Sequence, residues 1–370
     1  MNRHFYFSLC LTLLMLAGCA TQPRTNAPVR TESVARPATP AEITSSPTLR
    51  RLASEAALLQ PVAQSDLTRR FLAATSALPK IAPRTAYVNE ITREYFSATA
   101  RAALPDARRA TLSEVQLDEY RYYYTKYGSP LTYLRALEFA NDKNLVDVAG
   151  KRILDFGYGS IGHLRLLASL GAQVTGIDPD SYLAALYSDA ADQGAVDLAA
   201  NASRRSRGSP GSITLAHGYW PRDAKIVEQV GRGYDLILSK NTLKRGYVKP
   251  ERKIDDKRQL VDLGVSDQVF LTTIFNTLAP GGKLVIYNLH PKPAGPKEKY
   301  KPFADGRSPF SREQYEKAGL NVVAFDSEDH AAARKIGRLL KWDQNEKGET
   351  IDDLDSNLFA VVTVVTRPAQ

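Results

Sequence analysis

ILDFGYGSIGHLRLLASLGAQVTGIDPD, residues 153–180, decides how this chain is read. It runs as an apolar strand, a glycine turn, a helix, a second apolar strand and an acid. Gly157, Gly159 and Gly162 fall where the first strand becomes a helix. Lacking Cβ atoms, such a turn lets the backbone approach a ligand closely. Asp178 closes the second strand, where a carboxylate accepts hydrogen bonds from both hydroxyls of a ribose. The unit is therefore predicted to hold a nucleoside-containing ligand.

Gly157-x-Gly159-x-x-Gly162 taken alone also fits a dinucleotide fingerprint. Asp155 argues against that fit. It stands two residues before the first glycine, where it would repel a pyrophosphate but suits a cationic or amine-bearing ligand. The spacing from Asp155 to Asp178 leaves room for only a short helix. With these residues the segment resembles motif I of the class I S-adenosylmethionine-dependent methyltransferases, D-x-G-x-G-x-G followed by an acid ending strand two. This chain departs from the pattern with Ile161 at the third glycine's place and Gly162 one position later.

Further blocks extend the resemblance over residues 146–367. SITLAHGYWP (212–221) is similar to strand three and the adenine loop. YDLILSKNTL (234–243) is similar to strand four. LTTIFNTLAPGGKLVIYNL (271–289) reads as a helix, a Pro280-Gly281-Gly282 turn and strand five. There Gly supplies positive φ and Pro stops the helix. SREQYEKAGLNVVAFD (311–326) and LFAVVTVVT (358–366) resemble the last helix with strand six, and the closing strand. The implied fold is α/β: a Rossmann-like, seven-stranded, mostly parallel sheet with an antiparallel last strand. The implied cofactor is S-adenosylmethionine, held by Asp155, Gly157, Tyr158, Gly159, Asp178, Pro179, Tyr219 and Ser239. Tyr219 takes the place of an acid usual in the family, so either ring stacking replaces a hydrogen bond to adenine or the pocket differs.

Methyl transfer from a sulfonium is an in-line displacement, so the protein mainly aligns a nucleophile and excludes water. A general base is needed only for a nucleophile that starts protonated. No fixed catalytic set is implied; the candidates near the methyl are Lys240, Asn241, Tyr219 and His290. The Asn/Asp-Pro-Pro-Tyr motif of amino-group methyltransferases is absent, since strand four ends Ser239-Lys240-Asn241. That disfavours adenine or glutamine N-methylation. His163 is placed to open the helix after the glycines, and His217 to end strand three. The five histidines lack metal-ligand spacing, and no metal is expected.

Around this core, 370 residues suffice for one large domain and a small one. Residues 1–18 read as a signal peptide: a basic start at Arg3, an apolar run too short for an ordinary span, and Leu16-Ala17-Gly18-Cys19. That ending resembles a bacterial lipobox, which implies a lipidated Cys19. With Ala20 following, the family's sorting rule implies the outer membrane, facing the periplasm. Cys10 lies in the removed segment, so thiol and disulfide chemistry are excluded from the mature chain. The address conflicts with a cytoplasmic cofactor. Either the cofactor reaches the envelope, or the fold binds another metabolite, or the domain stays on the cytoplasmic side.

Residues 19–48, rich in Thr, Pro, Ala and Ser, read as a disordered tether. Residues 49–145 read as a helical N-terminal cap, with helical spacing over 49–78, 88–103 and 112–141. Residues 146–370 form the methyltransferase-like domain. In the cap, DEYRYYYTKYGSPLTYL (118–134) is placed to fold over the pocket, with Tyr127 or Tyr133 touching the methionine end. The net charge of +9 includes two basic segments, 244–267 and 291–309, after strands four and five. Such a rim would draw an anionic substrate or an acidic lipid surface, while an envelope address disfavours nucleic acid. A non-catalytic envelope module that keeps the fold for ligand binding is the alternative function. A nicotinamide-dependent oxidoreductase is a third, opposed by Asp155.

Overall fold

The computed structural model describes residues 35–369, apart from 126, 127 and 209. The signal segment, Cys19 and Tyr127 lie outside the described residues. Helices begin earlier than the tether assignment to residue 48 allowed. Pro40–Ser45 and Pro47–Leu59 are both helical, each opened by a hydroxyl cap. Thr39 and Glu42 form a capping box, and the Ser46 hydroxyl accepts from the Leu49 amide. Leu52, Ala56 and Leu59 then recur on one buried face.

The cap is not purely helical. Three strands, β1 (Arg84–Val88), β2 (Tyr95–Ser97) and β3 (Ser113–Leu117), form an antiparallel sheet in the order β2-β1-β3. This corrects the helical assignment of 88–97 and of the start of 112–141, while Ala98–Ala102 is helical as expected. Thr85, Tyr87, Val88, Tyr95 and Phe96 are β-branched or aromatic, and side-chain packing on a pleated surface decided their conformation. Asn89 makes the turn between β1 and β2, its Oδ1 accepting from the amides of Ile91 and Thr92, and Arg93 takes a positive φ of 58°.

The central sheet contains β4 (Arg152–Phe156), β5 (Gln173–Asp178), β6 (Gly194–Val196), β7 (Gly211–His217), β8 (Tyr234–Lys240), β9 (Leu278–His290), β10 (Asn321–Glu328) and β11 (Phe359–Thr366). Its order is β10-β11-β9-β8-β4-β5-β7-β6. The inner pairs are parallel, and β11 runs antiparallel to both β9 and β10. Eight strands replace the expected seven, because short β6 adds an antiparallel edge beside β7. Within β9, pairing with β8 jumps from Leu278 to Lys283, so Pro280-Gly281-Gly282 bulges out of the ladder, with Gly281 at φ 77°.

Successive strand residues feed two cores. Ile153, Leu236 and Val285 join a cluster with Leu52, Phe71, Leu137 and Leu164. Leu154, Ile237 and Ile286 join Trp220, Phe270 and Phe310 on the other face. A sheet buried on both faces explains the nearly unbroken apolar strands. The cap and the Gly162–Ser169 helix cover the first face, so cap and sheet share one core. A buried ion cluster also joins them: Asp192 accepts from Arg84 at 2.5 and 2.9 Å and from the Tyr122 hydroxyl at 2.7 Å, with Arg165 at 3.6 Å.

Candidate functional site

Strand order reverses between β4 and β8: β5 and β7 lie on one side of β4, β8 and β9 on the other. Ligands of open α/β sheets bind at that reversal, beyond the carboxyl ends of the strands. Asp155 lies at the end of β4 and Gly157 just follows it there, and Ser239 and Lys240 end β8. Gly157 and Gly159 have φ of 77° and 61°, which explains two of the glycines. The Gly157 amide donates to the Ile177 carbonyl at 2.8 Å, holding the turn against β5.

The space over these glycines is occupied by side chains. A Cβ on Gly157 would lie 2.3 Å from Thr242 Oγ1, whose hydroxyl donates to the Gly157 carbonyl at 3.2 Å. A Cβ on Gly159 would lie 3.3 Å from Thr125 Cγ2. Gly162 serves the cap: a Cβ there would meet the Tyr123 carbonyl and Pro130. Thr242, two residues beyond β8, carried no motif signal in the sequence.

Asp155 is fully buried. Its Oδ2 accepts from the Tyr133 hydroxyl at 2.7 Å and from His163 Nε2 at 2.5 Å. The Tyr133 and His163 rings stack with centroids 3.5 Å apart, and Lys240 Nζ stands 5.5 Å from the Tyr133 ring. Burial lowers the pKa of His163, although Asp155 works against it. Burial likewise pushes Lys240 down to about 8, again opposed by Asp155. Tyr133 thus reaches the first acid from the cap, and His163 holds that acid rather than merely opening a helix. Asp155 Oδ1, Ser160 Oγ and His163 Nδ1 are buried with no hydrogen-bond partner among the described residues. Buried polar atoms normally have partners, so these mark where a ligand or ordered water belongs.

Asp178 ends β5 on the wall of a trough of about 370 Å³, with Pro179, Gly218, Tyr219, Trp220 and Thr242. Lys257, Arg258, Leu260, Val261 and Asp262, from the first basic segment, line it too. Burial pushes the Asp178 pKa up to about 7, against the amides of Asp180 and Gly159, which favour the carboxylate. Asp178 and Gly159 also border a second hollow beneath the cap, beside Tyr124 and Thr125. Asp178, Pro179 and Tyr219 are thus together on one wall, with the Arg222 guanidinium 3.9 Å from the Tyr219 ring. Tyr158 is not: it is fully buried, packed beneath Gly176 with its ring 6.3 Å from that of His217. Ser239 is also buried, its Oγ accepting from the Leu243 amide at 3.2 Å. His217 keeps both ring nitrogens buried and unpartnered among the described residues.

Across the Asn241–Thr242 dipeptide lies another cavity, about 430 Å³. Asn241 and His290 line it; Lys240 does not. Asn241 holds a φ of 62°, a conformation Asn tolerates better than most residues, and its Oδ1 accepts from the Leu289 amide at 2.7 Å. His290 Nδ1 bonds the Pro291 carbonyl at 2.9 Å, and burial lowers its pKa. Lys244, noted in the sequence only as one charge of a basic rim, is buried on this wall.

The sheet order settles the fold. This is a class I methyltransferase-like, Rossmann-type sheet, with strand six and an antiparallel strand seven beyond strand five and one added edge. No family model and no curated protein matches the chain. Similar solved structures include the [4+2]-cyclase SpnF, at 16% identity and TM-score 0.36 over 64% of this chain and 81% of that one. They also include a putative sarcosine dimethylglycine methyltransferase from Galdieria sulphuraria, at 11% identity and TM-score 0.35 over 65% and 84%. A third is geranyl diphosphate C-methyltransferase from Streptomyces coelicolor, at 13% identity and TM-score 0.34 over 64% and 80%. Overlaps this loose add nothing about substrate.

Proposed function

We propose that this protein is an S-adenosylmethionine-dependent methyltransferase acting on a small-molecule or cell-envelope acceptor. The trough at Asp178 carries the reading. It joins an acid at the tip of β5 to an aromatic–proline slot at the reversal of strand order. When bound there, the cofactor supplies a methyl group already activated by a positive sulfur. Asp178 would receive the ribose hydroxyls, Pro179 and Tyr219 would sandwich the adenine, and Asp155 Oδ1 would face the amino end. The protein's remaining task is alignment and exclusion of water. Tethering through a lipidated Cys19 at the outer membrane belongs to the same proposal.

Calorimetric titration of the full chain with S-adenosylmethionine, S-adenosylhomocysteine and NAD tests it. Heat with the first two, lost in Asp178→Ala, supports the enzyme. Heat with NAD alone would overturn it.

One observation favours a second reading, a non-catalytic ligand-binding module. Thr242 fills the space over Gly157, and Tyr133 with His163 already engages Asp155. On that reading neither sulfonium nor thioether binds the native chain, and Thr242→Gly restores binding by opening the glycine turn.

A further inference from the structure

We infer that the cavity beside Lys244 binds a flat aromatic molecule bearing one negative charge, and that this is the chemical class of the acceptor. The word acceptor rests on the methyl-transfer reading; the binding site does not.

The argument begins with the walls. Tyr247, Phe303 and Trp342 supply three rings, and Leu289, Pro291 and Leu358 supply aliphatic surface. Phe303 is 40% exposed, an aromatic side chain left open to solvent. Aromatic walls favour a planar partner through offset or edge-on ring contacts. A volume of about 430 Å³ suits a ligand of two or three fused rings.

The polar groups then set the charge. Lys244, Asn241, His290 and Asn357 stand on the wall with the Tyr247 hydroxyl and the Trp342 indole N–H, and no carboxylate is among them. Lys244 is only 4% exposed. It donates to the carbonyls of Leu289 and Phe303, two of the three hydrogen bonds an ammonium makes. Asp305, whose carbonyl accepts from the Gly246 amide, has its carboxylate committed to Arg307 at 2.8 Å. A buried ammonium without a counter-charge is costly, and an anion entering beside it relieves that cost. Burial, with repulsion from Lys240, pushes the Lys244 pKa down to about 7, so an entering anion would also draw a proton onto it. Asn241 on this wall and Thr242 on the wall of the trough are consecutive residues, so the two hollows flank one dipeptide, and on the methyl-transfer reading the ligand would lie beside it.

Three probes with one ring system separate shape from charge: 2-naphthoate, 2-naphthamide and 2-naphthylmethylammonium. Each is titrated calorimetrically into the full chain, with and without S-adenosylhomocysteine. The naphthoate should bind about tenfold or more tighter than the amide, as one charged hydrogen bond implies, with the ammonium weakest. Lys244→Met should bring naphthoate to the amide's level and leave the amide unchanged. Should Lys244→Met fail to fold, Phe303→Ala at the rim should weaken all three by a similar factor. Equal affinities, preference for the ammonium, no binding of any probe, or naphthoate preference surviving Lys244→Met would each overturn the site. If naphthoate binds as expected while neither sulfonium nor thioether binds, the site stands and the word acceptor falls.

Discussion

Asp178 faces two demands. It must be ionised to receive a diol, yet burial holds its pKa near 7. Nucleoside affinity should therefore rise as pH increases from 6 to 8, and Asp178→Asn should flatten that profile and weaken binding about tenfold or more. Equilibrium titration at several pH values checks this. The linked stability runs the other way. The folded pKa lies above the unfolded one, so this group's contribution is fully present below about 4 and is lost as pH rises through about 7. Asp178→Asn should thus gain urea stability relative to wild type at pH 8 and little at pH 4. Gly157 makes a second test. With φ at 77° and Thr242 against it, Gly157→Ala should destabilise by about 1–3 kcal/mol, and Thr242→Gly should recover part of the loss in a double-mutant cycle. Asp178, the positive φ of two glycines and the slot at Pro179 and Tyr219 were legible in residues 153–219. Thr242 and the Tyr133–His163 clasp on Asp155 were not: Thr242 and Tyr133 reach the site from distant segments, and His163, on the next helix, reaches Asp155 only through the way the turn between them folds.

At the scale of elements, the link between cap and sheet is electrostatic as well as apolar. Asp192 is fully buried and engages Arg84 from β1 and Tyr122 from the cap. Asp192→Ala would leave Arg165 without its anion and Arg84 with only Asp189 at 3.9 Å, and should cost about 3–5 kcal/mol, read from urea unfolding. The first helix was open to prediction: Thr39-Pro-Ala-Glu42 carries its own start signal. The β1–β3 sheet was not, since short apolar runs satisfy helical and extended spacing alike and the partner strand decides between them. β6 escaped for the same reason, being three residues paired to an edge.

For the whole molecule, the described residues form one compact unit, and the cap is not a removable lid. Leu52, Phe71 and Leu137 share a core with Ile153, Leu164 and Leu236. A fragment of residues 146–370 should lose near-UV circular dichroism while keeping much of its far-UV signal, because one face of its sheet would be bare. Lipidation is tested separately: labelled palmitate should enter the wild-type chain and not Cys19→Ala, and added protease should report which side of the membrane the domain occupies. What the chain determined by itself was local and repetitive. Strand periodicity, glycines that need positive φ, helix caps and the order of the blocks all depend on neighbours within a few residues. Only the folded molecule decided what fills the crevice, which acid remains free and where a lysine loses its counter-charge. Those depend on side chains brought together from distant segments, where burial changes the cost of every charge.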